Sequence, residues 1–135
     1  MEPPLTPGET NLNALLRTME PVLHPEVYVF CTVPPGHLLL QITPVATFRE
    51  AEGLTLIVSA VEAAQAGLAA VYPCRWITLN VHSSLEAVGF LARITSQLAA
   101  HGISVNPVSG YYHDHLFVPA ERAEKVMQLL NELRG

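Results

Sequence analysis

The chain has 135 residues, enough for one ordinary domain or two very small ones sharing a core. Its net charge of −5 and pI near 5.6 argue against nucleic acid as a partner, because binding a phosphate backbone needs clustered Lys and Arg. Charged residues make up 14% and hydrophobic ones 50%, whereas a typical soluble domain is roughly 25% charged, so a face covered by a second copy, a homo-oligomer, is expected.

Residues 1–9, rich in Pro and Gly, read as a flexible arm with neither a basic n-region nor an apolar h-region, so no secretory signal is expected. Leu12, Leu15, Leu16 and Met19 then recur at helical spacing behind a Thr10 cap, and Pro21 stops that helix. A strand is expected over 27–33. Residues 34–44 read as a loop holding a short apolar stretch at 38–42 whose conformation the pattern leaves open. Two strands at 45–51 and 54–58 look like a hairpin turning at Glu52-Gly53, and Ser59 with Glu62 forms a capping-box pattern for an Ala-rich helix ending at Gly67. The most apolar long window, 53–72, is interrupted by Glu62, Gln65 and Gly67, too polar for a membrane span of about 20 residues.

The second half opens with a near-continuously apolar strand at 75–81, which suggests a central position. A second capping-box pattern, Ser83 to Glu86, precedes a helix whose stripe is expected at Leu85, Val88, Leu91 or Ala92, Thr95 and Leu98, with Gly102 as its stop. Strands at 103–109 and 112–118 follow, turning near Gly110. The last helix, 120–133, shows Ala123, Val126, Leu130 and Leu133 at its spacing, with Pro119 at its start. Cys31 and Cys74 match no metal or redox spacing and read as buried free thiols in a reducing cytoplasm.

The halves echo each other. Leu56-Ile-Val-Ser-Ala60 and Leu116-Phe-Val-Pro-Ala120 each end a strand and open a helix 60 positions apart, which suggests two copies of one supersecondary unit. The expected division is 10–72 and 73–135. The first copy lacks a helix between its first two strands, and the N-terminal helix is the guess for what fills that place.

Behind the Thr78-Leu-Asn-Val81 strand runs Gly89-x-Leu91-Ala-x-Ile94-Thr-x-x-Leu98-Ala-x-x-Gly102-Ile103-x-Val105. This phrase resembles the first helix and second strand of an ACT domain, a ferredoxin-like regulatory unit of pattern βαββαβ. Further phrases, at residues 28–32, 47–56, 76–79, 82–89 and 112–119, extend the resemblance to small bacterial tandem ACT proteins over about 12–133. The resemblance implies an α+β fold of two ACT-like units, the first incomplete or permuted, and sensing of an amino acid or other small ligand. Many ACT domains reach their ligand through an Asp-x-x-Gly turn after the first strand. Here that turn is lengthened by residues 83–88 before Gly89, so that either the helix begins early, at Ser84, or an extra half-turn precedes it.

That turn is the candidate ligand site. A free amino acid needs donors for its carboxylate and acceptors for its ammonium, and a helix N-terminus supplies uncommitted N–H groups. The residues expected there are His82, Ser83, Ser84, Leu85, Glu86, Val88 and Gly89, with Val105 and Asn106 from the neighbouring strand. Glu86 is a candidate partner for an ammonium, and the competing reading is that Ser83 and Glu86 only cap the helix.

Strand alternation sends His113 and His115 to one face with Phe117, and Asp114 to the other with Leu116. Two imidazoles on one face could share a metal with His82, but no established ligand spacing supports it, and hydrogen-bonding histidines are the preferred reading. Arg49, Glu50 and Glu52 read as a solvated cluster or, alternatively, a second pocket. No triad order, Walker-type loop or dinucleotide fingerprint occurs, so no catalytic residue, metal ligand or cofactor is assigned. The expectation is a non-catalytic, ligand-sensing regulatory protein. Its alternatives are an ACT scaffold for association and a metal-dependent enzyme using His82, His113 and His115.

Overall fold

The computed structural model describes residues 8–36 and 42–135. Its elements are α1 (Leu12–Thr18), β1 (Glu20–Val33), β2 (Ala46–Arg49), β3 (Leu54–Ser59), α2 (Ala60–Gln65), β4 (Val71–Asn80), α3 (Phe90–Ala100), β5 (Asn106–Ser109), β6 (Asp114–Pro119), a 3-10 turn at Ala120–Arg122 and α4 (Ala123–Leu133). The expectation for the arm at 1–7 and for all but Ile42 of the apolar stretch at 38–42 lies outside the described residues.

All six strands join one antiparallel sheet in the order β2-β3-β1-β4-β6-β5. A βαββαβ unit has its strands in the order fourth, first, third, second, and two sets of four strands in that order are visible here. Each long strand serves both. Residues 27–33 of β1 open the first unit while residues 20–23 take the fourth-strand place of the second, and residues 71–75 of β4 take that place in the first. The two units are therefore joined by strands they share. The 60-residue echo is structural: β3 running into α2 and β6 running into α4 occupy equivalent places.

β1 begins at Glu20, seven residues before the strand the sequence suggested, because Pro21 and Pro25 are accommodated inside it. The register slips between Leu23 and Val27, where Pro25 has no N–H to offer a ladder. Arg75 fills the gap, donating from Nε and Nη2 to the His24 carbonyl at 3.1 and 2.7 Å. A carbonyl turned out of the ladder is thus satisfied by a charged fork.

The N-terminal helix does not stand in for a missing helix of the first unit. Leu15 and Leu16 of α1, and Met19 just after it, are buried with Ile77, Leu79, Ile94, Leu98, Leu116 and Val126, in the core of the second unit. Its cap is Asn11 instead of Thr10, with Oδ1 accepting from Ala14 N at 2.9 Å. Among the described residues, no helix lies between β1 and β2. A smaller core under α2 joins Val29, Cys31, Val33, Leu56, Val58 and Ala63.

The helix of the second unit starts at Phe90, so an extra turn precedes it and the early start at Ser84 does not occur. Leu85 and Val88, expected on its buried stripe, are 67% and 84% exposed. Leu98 is buried as expected, with Phe90 and Ile94 preceding it on the stripe.

The sheet face opposite the helices is not bare. Tyr28, Ile57, Cys74 and Phe117 form a third buried cluster there, with Phe117 only 1% exposed. Val45 and Ala46 at the β2 edge and Val108 on β5 line one cavity with Trp76, although β2 and β5 lie at opposite edges of the sheet. The sheet therefore curls across this face, and its coiling does what a second helical layer would otherwise do.

Candidate functional site

The turn leaving β4 is held by two distant parts of the chain, the segment at Gly8 and Glu9 and the start of β6. Glu9 pairs with Ser83: its N–H donates to the His82 carbonyl at 2.8 Å and its carbonyl accepts from Ser84 N at 2.9 Å. Gly8 passes so close that a Cβ there would lie 2.9 Å from His82, so only glycine fits that approach. The end of the arm is consequently anchored. From β6, the buried Asp114 carboxylate accepts from the Ser83 hydroxyl at 3.0 Å.

The Ser83–Glu86 capping box does not form. Ser84 Oγ accepts from Glu86 N at 3.0 Å in a local turn, and Gly89, at φ +90°, is the N-cap of α3 without a side-chain cap. A left-handed residue is needed to swing the chain into the helix, and glycine adopts it freely. The first intrahelical bond is donated by Arg93 to Gly89 O at 2.9 Å, so the N–H groups of Phe90, Leu91 and Ala92 precede the ladder. Those three residues, with Ser84, Ser109 and Asp114, line a cavity of about 130 Å3.

Of the residues expected at the site, Ser84, Leu85 and Gly89 line this cavity. Ser83 stands behind it, orienting Asp114. His82 lies against Tyr111 and Tyr112, with ring centroids 6.2 and 5.1 Å away. Glu86 and Val88 are exposed and outside the lining. Val105 and Asn106 are not brought to it either: Asn106 pairs with Phe117, whereas Ser109 pairs with Asp114 at the cavity. Sequence reasoning missed Ser109 and Asp114. Alternation did place Asp114 on the face of Leu116, against the helices, and a lone carboxylate on a core-facing strand position was the available signal.

His113 and His115 do different jobs. His113 Nδ1 lies 3.1 Å from the Val81 carbonyl, which can only accept, and so ties β6 to the end of β4. His115 Nδ1 is 3.0 Å from both Trp76 Nε1 and Thr78 Oγ1. Burial, reinforced by His113, holds the His115 pKa below the ordinary imidazole value. Among the described residues no three His, Cys, Asp or Glu side chains are grouped closely enough to hold a metal ion.

The first unit has a counterpart to the cavity. Shifting by the 60-residue repeat takes Ser109 to Arg49 and Asp114 to Leu54, and these two line a cavity of about 280 Å3 with Glu50 and Gly53. The chemistry differs between the two places: a buried carboxylate in one, a guanidinium beside an apolar residue in the other.

Two comparisons with known proteins bear on identity. A family model described as an ACT domain matches residues 7–75, and a second, also described as an ACT domain, matches residues 71–132. Among solved structures, a Vibrio cholerae protein of unknown function, described as a possible transport protein, is 50% identical, with a TM-score of 0.83 over 92% of this chain and 96% of that one. An Agrobacterium tumefaciens protein matches at 18% identity and TM-score 0.69, covering 86% of this chain and 89% of that one. The ligand-free regulatory subunit of aspartate kinase from Thermus thermophilus matches at 12% identity and TM-score 0.62, covering 87% and 98%. At those lower identities the likeness is one of fold. No curated protein matches. The two family matches, on a sheet built from two interlocked four-strand units, show that this chain belongs to the ACT domain family, with two ACT domains in tandem.

Proposed function

We propose that the protein is a non-catalytic regulatory ACT protein of the cytoplasm that binds a free amino acid in the cavity between the β4–α3 turn and Asp114. The observation that carries this reading is the buried Asp114 carboxylate facing an uncapped helix N-terminus across about 130 Å3. An amino acid's carboxylate is complementary to the N–H groups of the first turn of α3, where the helix dipole adds to the hydrogen bonds. Its ammonium is complementary to Asp114, a role the sequence had offered to Glu86. The small volume, below the roughly 300 Å3 at which drug-sized pockets begin, favours a small side chain.

A thermal-shift screen of the twenty amino acids tests it, since a ligand that binds only the folded state raises the melting temperature. One or a few small amino acids are expected to stabilise the wild type and to lose that effect in Asp114→Asn. No shift with any of them, or an unchanged shift in the variant, refutes the site. Gly89→Val is the poorer probe, because at φ +90° a β-branched side chain strains the backbone regardless of any ligand.

A scaffold role is the second reading, favoured by Phe48, which is 72% exposed on the edge strand β2. The low charged fraction and this edge support a homo-oligomer under either reading. Light scattering at micromolar concentration should give at least a dimer mass, reduced in Phe48→Lys.

A further inference from the structure

The curled face of the sheet holds a cavity of about 190 Å3 that the amino-acid reading does not use. Its walls are apolar at Val45, Ala46, Val108 and Phe117, and its polar side-chain atoms come from Trp76 and His115. The hydrogen bonds around His115 fix where its proton sits. Indole Nε1–H can only donate, so the 3.0 Å bond from Trp76 makes His115 Nδ1 an acceptor. The neutral ring then carries its hydrogen on Nε2. Thr78 Oγ1, 3.0 Å from the same Nδ1, must donate to it and therefore accepts from His24 Nε2 at 2.8 Å. His24 in turn stacks on Trp76 with ring centroids 3.6 Å apart. Three side chains, Trp76, Thr78 and His24, thus lock one imidazole in one tautomer and one orientation.

The locked Nε2–H has no hydrogen-bond partner among the described residues. The edge of the ring that carries it is turned away from β4 and lies beside Gly110, where an added Cβ would be 3.5 Å from Nε2. A half-buried donor without an acceptor among the described residues, on a side chain that lines an otherwise apolar cavity, suits a ligand that brings the acceptor.

We propose that this cavity is a second binding site, for a small apolar molecule bearing one carboxylate or carbonyl oxygen that accepts from His115 Nε2–H. The apolar body packs on Trp76 and Phe117 and between Val45, Ala46 and Val108. Among the described residues no side chain in the wall offers an acceptor for an ammonium: Trp76 Nε1 only donates, Nδ1 of His115 is already occupied, and the other described wall side chains are apolar. The site therefore selects acids or carbonyl compounds without an amino group, the reverse of the chemistry at Asp114.

Trp76 is the chain's one tryptophan, so intrinsic fluorescence of the full chain reports this cavity and not the one at Asp114. The probe is benzoate, titrated near pH 7.5, above the range in which imidazole charges. A saturable change is expected with benzoate and none with benzylamine at the same concentrations. Val108→Phe, which adds bulk to the wall at a position already part-exposed, should weaken benzoate by about tenfold, the scale at which filling a packed space is felt. Ala46→Leu serves the same purpose if the first variant folds poorly. The proposal is overturned by a linear response, by an equal response to benzylamine, or by variants that bind as the wild type does. It is also overturned if the fluorescence changes only together with the mass in light scattering, which would mean that a second copy covers the face.

Discussion

Ser83 donates its hydroxyl hydrogen to the Asp114 carboxylate at 3.0 Å, across 31 positions of sequence, and both residues are buried. The bond ties the turn before α3 to the first residue of β6. It also holds the carboxylate in place behind the candidate cavity.

Ser83→Ala is expected to destabilise the fold by about 1–3 kcal/mol, because the buried carboxylate loses a charge-assisted donor. Helix capping and carboxylate support predict different double-mutant cycles. If Ser83 acts through Asp114, the costs of Ser83→Ala and Asp114→Asn measured by denaturant unfolding will not add. Additive costs would restore the capping role that the sequence suggested.

Leu15→Ala removes a fully buried side chain from the core beneath α3 and α4. A loss of about 2–5 kcal/mol is expected, as for other large-to-small core changes. If α1 were only an appended N-terminal helix the loss would be within about 0.5 kcal/mol, the usual range for surface substitutions. Urea unfolding of the variant separates the two.

His24 and His115 both have pKa values lowered from 6.5 by burial, with His113 adding to the effect at His115. The unfolded chain therefore binds more protons than the native one between the folded and unfolded values. Stability from these groups is fully present above 6.5 and is lost as pH falls through the folded values. Protonating His115 also requires a hydrogen on Nδ1, facing the Trp76 N–H that now donates to it. The melting temperature should fall between neutral pH and about pH 5, with a shallower fall in His115→Gln. Identical slopes in the two proteins would contradict the assignment.

Burial pushes the Cys74 thiol up to about 12, and its S–H donates to the Tyr28 carbonyl at 3.3 Å. Burial raises Cys31 as well. Since the thiolate is the reactive form, neither should react with a disulfide reagent in the native state near neutral pH, and both should react after unfolding. Rapid native labelling of one thiol would show that its strand opens locally.

Several features were legible in the sequence because they are local. Ser59 does cap α2, accepting from Glu62 N at 3.1 Å, and Gly102 does follow α3 with φ +69°. The repeated Leu56 and Leu116 phrases do mark equivalent strand-to-helix junctions, and the motif around Gly89 led to the right family. Caps, stops and repeats depend on residues within a few positions of one another, so their physics is written in the order of the chain.

The tertiary structure alone decided three things, each by joining distant residues. It made β1 and β4 each serve both units, residues 20–23 and 27–33 on one strand and the two ends of β4 on the other, because a strand pairs wherever an open edge is offered. It chose an extra turn before α3 over a helix starting at Ser84, because Asp114 and Glu9 hold Ser83 and Ser84 in that turn. And it curled the sheet so that Trp76, Phe117 and both edges meet over one cavity. Strand twist accumulates over all six strands, so no single segment of this sequence could have announced that face.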